Sequence, residues 1–222
     1  MLKNFLIVSA TKYEVETLLS IFKINVNNET GLFTSNKFPL DISVLITGVG
    51  MVNTAFLMGK YINHNFDFII NVGVCGAFNR NLKLGEVVNV TNDILSEMGA
   101  EDGEDFIKYE DLKLGGTSVF ECLIKTENVT LNSLKKVSGI TVNTVHGKDE
   151  SIKKTSQQFN PDVESMEGAA FFRSCSGLST NHFQIRAISN YVEKRDKNKW
   201  NMPLAINNLN ETVIKIIYEL CN

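Results

Sequence analysis

Residues 162–172 have the sequence DVESMEGAAFF, and residues 185–190 have the sequence IRAISN. Pro161 and Asp162 predict the start of a helix at the first of these segments. The small residues 168–170 would let that helix lie close to another backbone, and the apolar second segment predicts a strand. We therefore expect a helix directly followed by a buried strand.

Met166 and Glu167, just inside the predicted helix, have two interpretations. In the first, Met166 fills core and Glu167 is an exposed acid favoured by the helix dipole. In the second, the Glu167 carboxylate accepts two hydrogen bonds from the vicinal hydroxyls of a ribose, and Met166 packs on the sugar. The segment alone favours the first interpretation, and the rest of the chain favours the second.

Apolar runs alternate with glycine turns and helical periods along the chain. Strands are predicted at residues 4–9, 42–47, 66–72, 87–90, 119–123, 140–145 and 183–189. Helices are predicted at 13–22, at 52–62, from 161 onward and at 203–220. The remaining notable segments are a hairpin region at 24–40, glycine loops at 48–51 and 73–77, and an acidic loop at 97–105.

This order of elements predicts the fold class. It indicates an α/β fold of three layers, in which a central mixed β-sheet is flanked by helices and binding loops lie at the carboxyl ends of strands. No internal repeat and no linker rich in Pro, Gly or Ser interrupts the pattern. Residues 1–222 are therefore expected to form a single domain.

The composition excludes several classes of function. The 222 residues are 43% hydrophobic and 21% charged with a net charge of −3, and no basic patch is interleaved with aromatics, so nucleic-acid binding is not expected. The apolar runs are too short to cross a bilayer, and the first residues predict no signal peptide. The widely spaced cysteines and histidines predict reduced thiols, a cytoplasmic location and no metal site.

The loop GVG at residues 48–50 is not a dinucleotide fingerprint. Asn53 stands where the third glycine of that motif would be, and the chain has no G-x-x-x-x-G-K-[ST] segment. A single G-x-G loop is weak evidence for binding, because it also occurs as a tight turn between strand and helix.

The order of five short motifs is more informative than any one of them. They are SAxxxEV at 9–15, TGVG at 47–50, NVGVCGA at 71–77, SMEGAA at 165–170 and RAISN at 186–190. Together they resemble the purine nucleoside phosphorylase and nucleosidase superfamily over nearly the whole chain. Within it, residues 96–102, 164–172 and 186–195 leading to Trp200 most resemble the futalosine hydrolases.

The resemblance implies cleavage of an N-ribosyl bond and assigns roles to four residues. By the family pattern, Met166 and Glu167 hold the ribose, Asn190 meets the purine, and Glu14 orients and activates water. A ribosyl cation-like state needs contacts of these kinds. Without the resemblance, Glu14 would be interpreted as a solvated acid in the first turn of a helix. The short alignment also leaves Glu16 open as the base.

The resemblance also implies a pocket built from the glycine loops and from residues near the carboxyl ends of strands. The further substrate-binding residues that it implies are Val49, Val74, Cys75, Gly76, Ser165, Arg186 and Trp200. Arg186 is expected to be an ion-pair partner inside the site and Trp200 to cover it. Simple turn packing for the loops and a core position for Trp200 are the alternatives.

Two departures from the nucleosidase and phosphorylase patterns bear on the substrate and the nucleophile. Asn190 replaces the aspartate of adenine-specific nucleosidases, and its amide can donate to N7 and to a 6-oxo group, which suits hypoxanthine. Asn71 stands where phosphorylases place a phosphate-binding arginine, and the first 79 residues contain no arginine. Water is therefore the expected nucleophile.

With these two departures, the resemblance implies a futalosine hydrolase that needs no metal or organic cofactor and acts on a small purine nucleoside. By analogy with relatives, we expect a homodimer or larger homo-oligomer. The alternatives are a methylthioadenosine/S-adenosylhomocysteine nucleosidase, a phosphate-dependent phosphorylase and a nucleoside-binding protein without chemistry. The cation that meets the carboxylate on the substrate's 5′ tail is not assigned, with His146 or a neighbouring subunit as candidates.

Overall fold

A computed structural model describes residues 3–35, 41–62 and 65–221. Its strands are β1 (Asn4–Ser9), β2 (Gly31–Thr34), β3 (Asp41–Ile46), β4 (Phe68–Ala77), β5 (Val87–Leu95), β6 (Gly99–Asp102), β7 (Asp105–Lys108), β8 (Val119–Glu121), β9 (Lys135–Thr141), β10 (Val163–Ser165) and β11 (Asn181–Tyr191). Its α-helices are α1 (Glu16–Ile21), α2 (Met51–Tyr61), α3 (Val129–Ser133), α4 (Asp149–Phe159), α5 (Gly168–Cys175) and α6 (Met202–Cys221). Short 3₁₀ turns lie at Tyr13–Val15, Tyr109–Leu112 and Lys197–Lys199.

The main sheet is mixed and partly closed. Its strand order is β10-β9-β5-β11-β4-β1-β3-β2, and β8 pairs with β5. Strand β10 pairs in parallel with β9 and also antiparallel with the carboxyl end of β4, where Val163 lies opposite Ala77 and Glu164 opposite Gly76. This second pairing closes the strands β4, β11, β5, β9 and β10 into a ring.

Helices cover both faces of the sheet, as the continuous burial of β1 requires. Phe5 and Ile7 belong to an apolar cluster with α1, α3 and α6, while Leu6 and Val8 belong to another with α2 and α5. Successive residues of a strand point to opposite faces, so a strand buried on both sides is apolar throughout. The predicted class, a central mixed sheet flanked by helices, is confirmed.

The closed part of the sheet has its own apolar cluster. It takes Cys75 and Ala77 from β4, Val137 from β9, Val163 from β10 and Ile188 from β11, with residues of β5 and the segment before it. Strand β10 has only three residues, but it pairs with both β4 and β9 and packs Val163 into this cluster. These contacts fix its position. Its end therefore delivers residues 165–167 to a defined position.

The predicted start of the central helix at Pro161 and Asp162 is wrong. Residues Val163–Ser165 are a strand, and the helix begins at Gly168, with Glu167 as its N-cap. The cause is long-range pairing of Val163 and Glu164 with β4 and β9, which local helix signals do not contain. Met166 and Glu167 thus precede the helix and face the end of the sheet.

Other boundaries differ from the sequence-based ones. Residues 73–77, predicted as a loop, continue β4. The predicted acidic loop at 97–105 contains β6 and the turn into β7, which pairs with it as a hairpin. The strand predicted at 140–145 is Lys135–Thr141, and helix Asp149–Phe159 was not predicted. Of the hairpin region at 24–40, Gly31–Thr34 pairs antiparallel with β3, while residues 36–40 lie outside the described part.

The described helices include none that is long and apolar enough to cross a membrane.

Gly168 allows α5 to pack against the buried polar side chains of the sheet. A Cβ at this position would overlap the Asp93 carboxylate and the Gln184 amide. We expect Gly168→Ala to lower the free energy of unfolding by about 1–3 kcal/mol, the usual cost of overpacking. Chemical denaturation followed by circular dichroism measures this change.

Gly59→Ala is the matched control, since Gly59 is inside α2 and a Cβ there meets nothing within 4 Å. This change should raise stability by about 0.5–1 kcal/mol, because alanine has less backbone entropy to lose in a helix. Equal effects of the two substitutions would contradict the tight packing described at Gly168.

Candidate active site

A cavity of about 540 Å³ opens at the carboxyl ends of β1, β4, β10 and β11. Ten of the residues predicted to form a site line it: Glu14, Val49, Val74, Cys75, Gly76, Ser165, Met166, Glu167, Asn190 and Trp200. Arg186, the eleventh, is 1% exposed and contacts the cavity through Glu167. Glu16 is exposed and points elsewhere, so the geometry favours Glu14 over Glu16 as a site residue.

Glu14 is a buried carboxylate held by a surrounding set of donors. Its Oε2 accepts hydrogen bonds from the Thr11 N–H (3.0 Å) and hydroxyl (2.9 Å), and its Oε1 accepts one from the Val74 N–H (3.0 Å). Burial raises the pKa of Glu14, and the Arg186 charge and the Val74 N–H oppose that rise. The interpretation of Glu14 as a solvated helix acid does not fit its 7% exposure.

Helix α6 fixes the segment that carries Glu14. The Asn210 amide donates to the Glu14 carbonyl (2.8 Å) and accepts from the Leu18 N–H (3.0 Å). Asn210 is itself 1% exposed, so these bonds are shielded from water. The backbone around Glu14 is thereby tied to a helix more than 190 residues away in sequence.

Glu167 reaches the loop after β3 and the interior of the sheet. Its Oε1 accepts a hydrogen bond from the Gly50 N–H (3.1 Å), and its Oε2 lies 3.5 Å from Arg186 Nη1. Gly50 has a φ of 101°, a conformation that favours glycine, and this presents its N–H to the carboxylate. Glu167 is 5% exposed and is not the exposed acid of the ordinary interpretation.

Arg186 is the buried cation that holds the floor of the cavity together. Besides its ion pair with Glu167, its guanidinium donates to Asn71 Oδ1 (2.7 Å) and to Gln184 Oε1 (3.0 and 3.1 Å). A Cβ on Gly73 would overlap the guanidinium and stand 2.8 Å from Glu14 Oε1. Glycine is therefore needed at this position for Arg186 and Glu14 to approach β4.

Asp93, which the sequence analysis did not identify, continues this network away from the cavity. Its carboxylate accepts from Gln184 Nε2 (2.9 Å) and from the Thr141 hydroxyl (2.8 Å), and it is 1% exposed. Thr141 Oγ1 in turn accepts from the Ala169 N–H (2.7 Å) at the start of α5. Burial raises the pKa of Asp93 to about 6, against the lowering by its two side-chain hydrogen bonds.

Asn190 is turned toward the cavity by an irregularity in β11. Ile188 lies opposite Cys75 and Asn190 opposite Gly76, so Ser189 is an extra residue in this pairing. Such a bulge re-aims the next side chain. The Ser189 hydroxyl donates to Asn190 Oδ1 (2.8 Å), while Asn190 Nδ2 gives one hydrogen to the Tyr191 carbonyl (3.0 Å) and keeps a second for a ligand.

Glu164 and His146 form a pair on the cavity wall. The sequence analysis gave Glu164 no role and named His146 as a candidate for the cation that meets the substrate's 5′ tail. Glu164 accepts from the His146 N–H (3.1 Å) and contacts His146 Nδ1 at 2.6 Å. His146 Nε2 lies 2.9 Å from the Thr155 hydroxyl of α4. Both ring nitrogens are thus engaged within the protein. The contacts from Glu164 in β10 through His146 to Thr155 in α4 fix the loop at 145–147.

Among residues 3–35, 41–62 and 65–221, the side chains of His, Cys, Asp and Glu form no group of three or more that could hold a metal ion. The arrangement in the cavity is instead one of buried carboxylates, one buried guanidinium and one oriented amide. Such a set can bind hydroxyl groups, hold a water molecule and donate to a heterocycle.

Comparison with known proteins places the chain in a family. A family model for the phosphorylase superfamily matches residues 4–218, and the chain belongs to this superfamily. It is 29% identical to the futalosine hydrolase of Thermus thermophilus, with 79% of this chain and 80% of that protein aligned. It is 25% identical to the 5′-methylthioadenosine/S-adenosylhomocysteine nucleosidase of Colwellia psychrerythraea, over 96% of this chain and 95% of that protein.

Solved structures show the same fold at lower identity. The futalosine hydrolase of Helicobacter pylori superimposes with a TM-score of 0.81 at 14% identity, covering 99% of both chains. The 5′-methylthioadenosine/S-adenosylhomocysteine nucleosidase of Neisseria meningitidis, in complex with methylthio-immucillin-A, gives a TM-score of 0.76 at 18% identity, covering 97% of this chain and 99% of that one. The superfamily resemblance in the sequence motifs is confirmed by the family model that matches residues 4–218.

The buried Asp93 should make stability depend on pH. Its pKa is about 6 in the folded protein and 3.8 as the ordinary value, so the folded state binds the proton more tightly. Stability is therefore lost as pH rises from about 4 to about 6. Relative to Asp93→Asn, the wild type should lose about 2 kcal/mol of unfolding free energy between pH 4 and pH 7.

Chemical denaturation of both proteins across this pH range measures the difference. Asp111→Asn is the control, since Asp111 is exposed and its substitution should leave the pH profile of the wild type unchanged. Parallel profiles for wild type and Asp93→Asn would show that Asp93 does not titrate in this range.

Proposed function

We propose that this protein is a purine nucleoside N-ribosylhydrolase and that its substrate is futalosine. Water splits the glycosidic bond to give hypoxanthine and dehypoxanthine futalosine, a step in menaquinone biosynthesis. One observation carries the proposal: two buried carboxylates, Glu14 and Glu167, and the amide of Asn190 face one cavity, and Arg186 lies beneath them. The match to the Thermus futalosine hydrolase supports the choice of substrate.

The ribose is assigned to Met166 and Glu167. A carboxylate accepts two hydrogen bonds from vicinal hydroxyls, and the ion pair with Arg186 keeps Glu167 in one orientation. As the C1′–N bond lengthens, positive charge develops on the sugar, and the nearby carboxylates stabilise it. These contacts strengthen toward the transition state, which is the condition for faster chemistry.

Water is assigned as the nucleophile, and Glu14 is assigned as the base that activates it. The carboxylate orients the water and takes its proton while the water oxygen bonds to C1′. The bonding electrons leave with the base as the hypoxanthine anion, and the one hydrogen that Asn190 Nδ2 keeps free is shared between N7 and the 6-oxo group. The anion then takes a proton from solvent to give hypoxanthine. Because an amide cannot deliver a proton, Asn190 stabilises the departing base rather than acting as a general acid.

Phosphate is disfavoured as the nucleophile. Asn71, at the position where phosphorylases of the superfamily have arginine, is 1% exposed, and it donates to the Val8 carbonyl (3.1 Å) while accepting from Arg186 (2.7 Å). A buried, neutral amide bonded in this way cannot replace the positive charge of an arginine in binding an anion. Arg186 is equally committed to neighbouring acceptors.

A methylthioadenosine/S-adenosylhomocysteine nucleosidase is the second candidate. It is favoured by the Colwellia relative, whose alignment covers 96% of this chain against 79% for the Thermus relative. The oriented Asn190 amide argues for a 6-oxopurine instead, since it presents a hydrogen-bond donor where adenine carries an amino group.

The assembly is proposed to be a homodimer or larger homo-oligomer. Val52 and Phe56, one turn apart on α2, are 75% and 70% exposed, and Val49 at the cavity edge is 50% exposed. Contiguous exposed apolar side chains of this kind mark contact surfaces. Size-exclusion chromatography with light scattering tests this assignment, and a monomer at micromolar concentration would contradict it.

Glu14→Gln should remove hypoxanthine release from futalosine. The loss of a general base typically costs about 10² to 10⁴-fold in kcat. Glu16→Gln, on the exposed side of the same turn, is the control and should retain full activity. Chromatography of released purine, with and without phosphate, measures both variants, and a dependence of the wild type on phosphate would indicate a phosphorylase.

Asn190→Asp should shift specificity from 6-oxopurines toward adenine nucleosides. A protonated aspartate donates to N7 while its other oxygen accepts from the exocyclic amine, so the ratio of kcat/KM for methylthioadenosine to that for futalosine should rise at least about 10-fold. Asn198→Asp, exposed on the neighbouring segment, should leave this ratio unchanged. If the wild type released adenine from methylthioadenosine as fast as it released hypoxanthine from futalosine, the methylthioadenosine/S-adenosylhomocysteine nucleosidase would be favoured.

A further inference from the structure

The charges on the cavity wall are unevenly distributed. Four acids line it: Glu14, Glu164 and Glu167 in its buried part and Glu193 on its rim. Glu193 is already neutralised, because its carboxylate lies 2.9 Å from Arg80 Nη1 and 3.2 Å from Lys199 Nζ. The rim acid is therefore compensated within the protein.

Arg195 is the one lysine or arginine among the cavity-lining residues of the described chain. Its guanidinium carbon lies 5.1 Å from the centre of the Trp200 ring, and the side chain is exposed. Within residues 3–35, 41–62 and 65–221, no carboxylate lies within 4.0 Å of it. The cavity thus carries one cation at its rim without an acidic partner.

His146, the other basic side chain on the wall, is not comparable. Its Nδ1 contacts Glu164 at 2.6 Å and its Nε2 contacts the Thr155 hydroxyl at 2.9 Å. An imidazole with both nitrogens engaged has no hydrogen-bonding position left for a ligand. His146, named above as a candidate for the cation that meets the substrate's tail, is therefore held by its neighbours in the cavity wall.

The position of Arg195 suits a substituent that leaves the enclosed part of the cavity. The segment from Tyr191 to Trp200 follows Asn190, and its backbone at Glu193 and Arg195 packs 3.9 Å from where a Cβ on Gly147 would stand. This contact joins the segment to the loop at 145–147 and makes Arg195 part of the rim. A nucleoside whose base meets Asn190 would bring its outward-pointing substituent to this rim.

We propose that Arg195, supported by Trp200, binds an anionic group of the carboxylate class on the substituent of the nucleoside. This inference rests on the proposed function and names the residue that reads the substrate's tail. A guanidinium matches a carboxylate with two parallel hydrogen bonds. Its stacking on the indole holds it in place before the ligand arrives, which lowers the entropy lost on binding.

The arrangement separates two kinds of nucleoside. Futalosine carries an aromatic carboxylate on its 5′ tail and gains the pair with Arg195, whereas the neutral thioether of methylthioadenosine gains nothing there. The acids in the buried part of the cavity repel an anion, so the carboxylate is directed to the rim and the ribose to Glu167. Arg195 thereby also fixes which end of the nucleoside enters.

The test compares futalosine with its methyl ester, in which the carboxylate is masked. The wild type should show a KM for the ester about 10- to 100-fold higher than that for the acid, the usual effect of losing a hydrogen bond to a charged group. In Arg195→Gln the two KM values should become equal, because the KM for the acid rises to that for the ester. Arg195→Lys should restore part of the preference, because it keeps the charge but loses the planar fork.

Lys194→Gln is the matched control, since it removes a neighbouring exposed cation that does not line the cavity. It should keep the wild-type preference for the acid. Equal KM values for acid and ester in the wild type, or an unchanged preference in Arg195→Gln, would overturn the inference while leaving futalosine hydrolysis intact.

Calorimetric binding of both compounds separates this inference from the proposed function. A wild type that releases no purine but binds the acid more tightly than the ester, with the difference lost in Arg195→Gln, would retain the anion site and reject the hydrolase assignment. Equally weak binding of both compounds by wild type and variant would reject the anion site.

Discussion

The site depends on one buried cation. Arg186 is 1% exposed, and taking a charge out of water is costly unless it is paired and hydrogen-bonded. Here the ion pair with Glu167 and acceptors on Asn71 and Gln184 offset that cost. The same contacts place each partner, so Arg186 determines where the carboxylates of the cavity floor lie. Gly73 is part of this arrangement, because a side chain there would displace the guanidinium.

Closure of the sheet through β10 brings together residues that a simple α/β sheet would keep apart. The pairing of Glu164 with Gly76 places the Glu164 side chain beside Gly76, on whose other flank Asn190 lies. A Cβ on Gly76 would stand 3.3 Å from Asn190 Nδ2 and 3.5 Å from Glu164 Cγ. The absence of a side chain at Gly76 therefore lets Asn190 and Glu164 approach β4 from its two flanks. The residues after β10, Met166 and Glu167, lie at the same opening.

Local patterns predicted the parts of the fold that depend on local sequence. The strand Asn4–Ser9 and the helix near Met202–Cys221 follow from an apolar run and an amphipathic period. The helix start at Asp162 was wrong because three residues of β10 are decided by partners far away in sequence. Ten of the residues that line the cavity were predicted from the family resemblance that the order of motifs carries. Asp93 was missed because the predicted strand ended at residue 90, whereas β5 continues to Leu95 and carries Asp93 into the interior.

The charge balance of the cavity favours water over phosphate and a cation-like sugar over an anionic one. Glu14, Glu164 and Glu167 line its buried part, and the single guanidinium beneath them is fully engaged by protein acceptors. In a medium less polarisable than water, such an excess of negative charge repels a phosphate dianion and stabilises positive charge on the ribose. An anionic group on the substrate is then tolerated only where a cation is free, and within the described chain that place is the rim at Arg195. The arrangement that we propose to disfavour phosphorolysis would therefore also orient a carboxylated nucleoside.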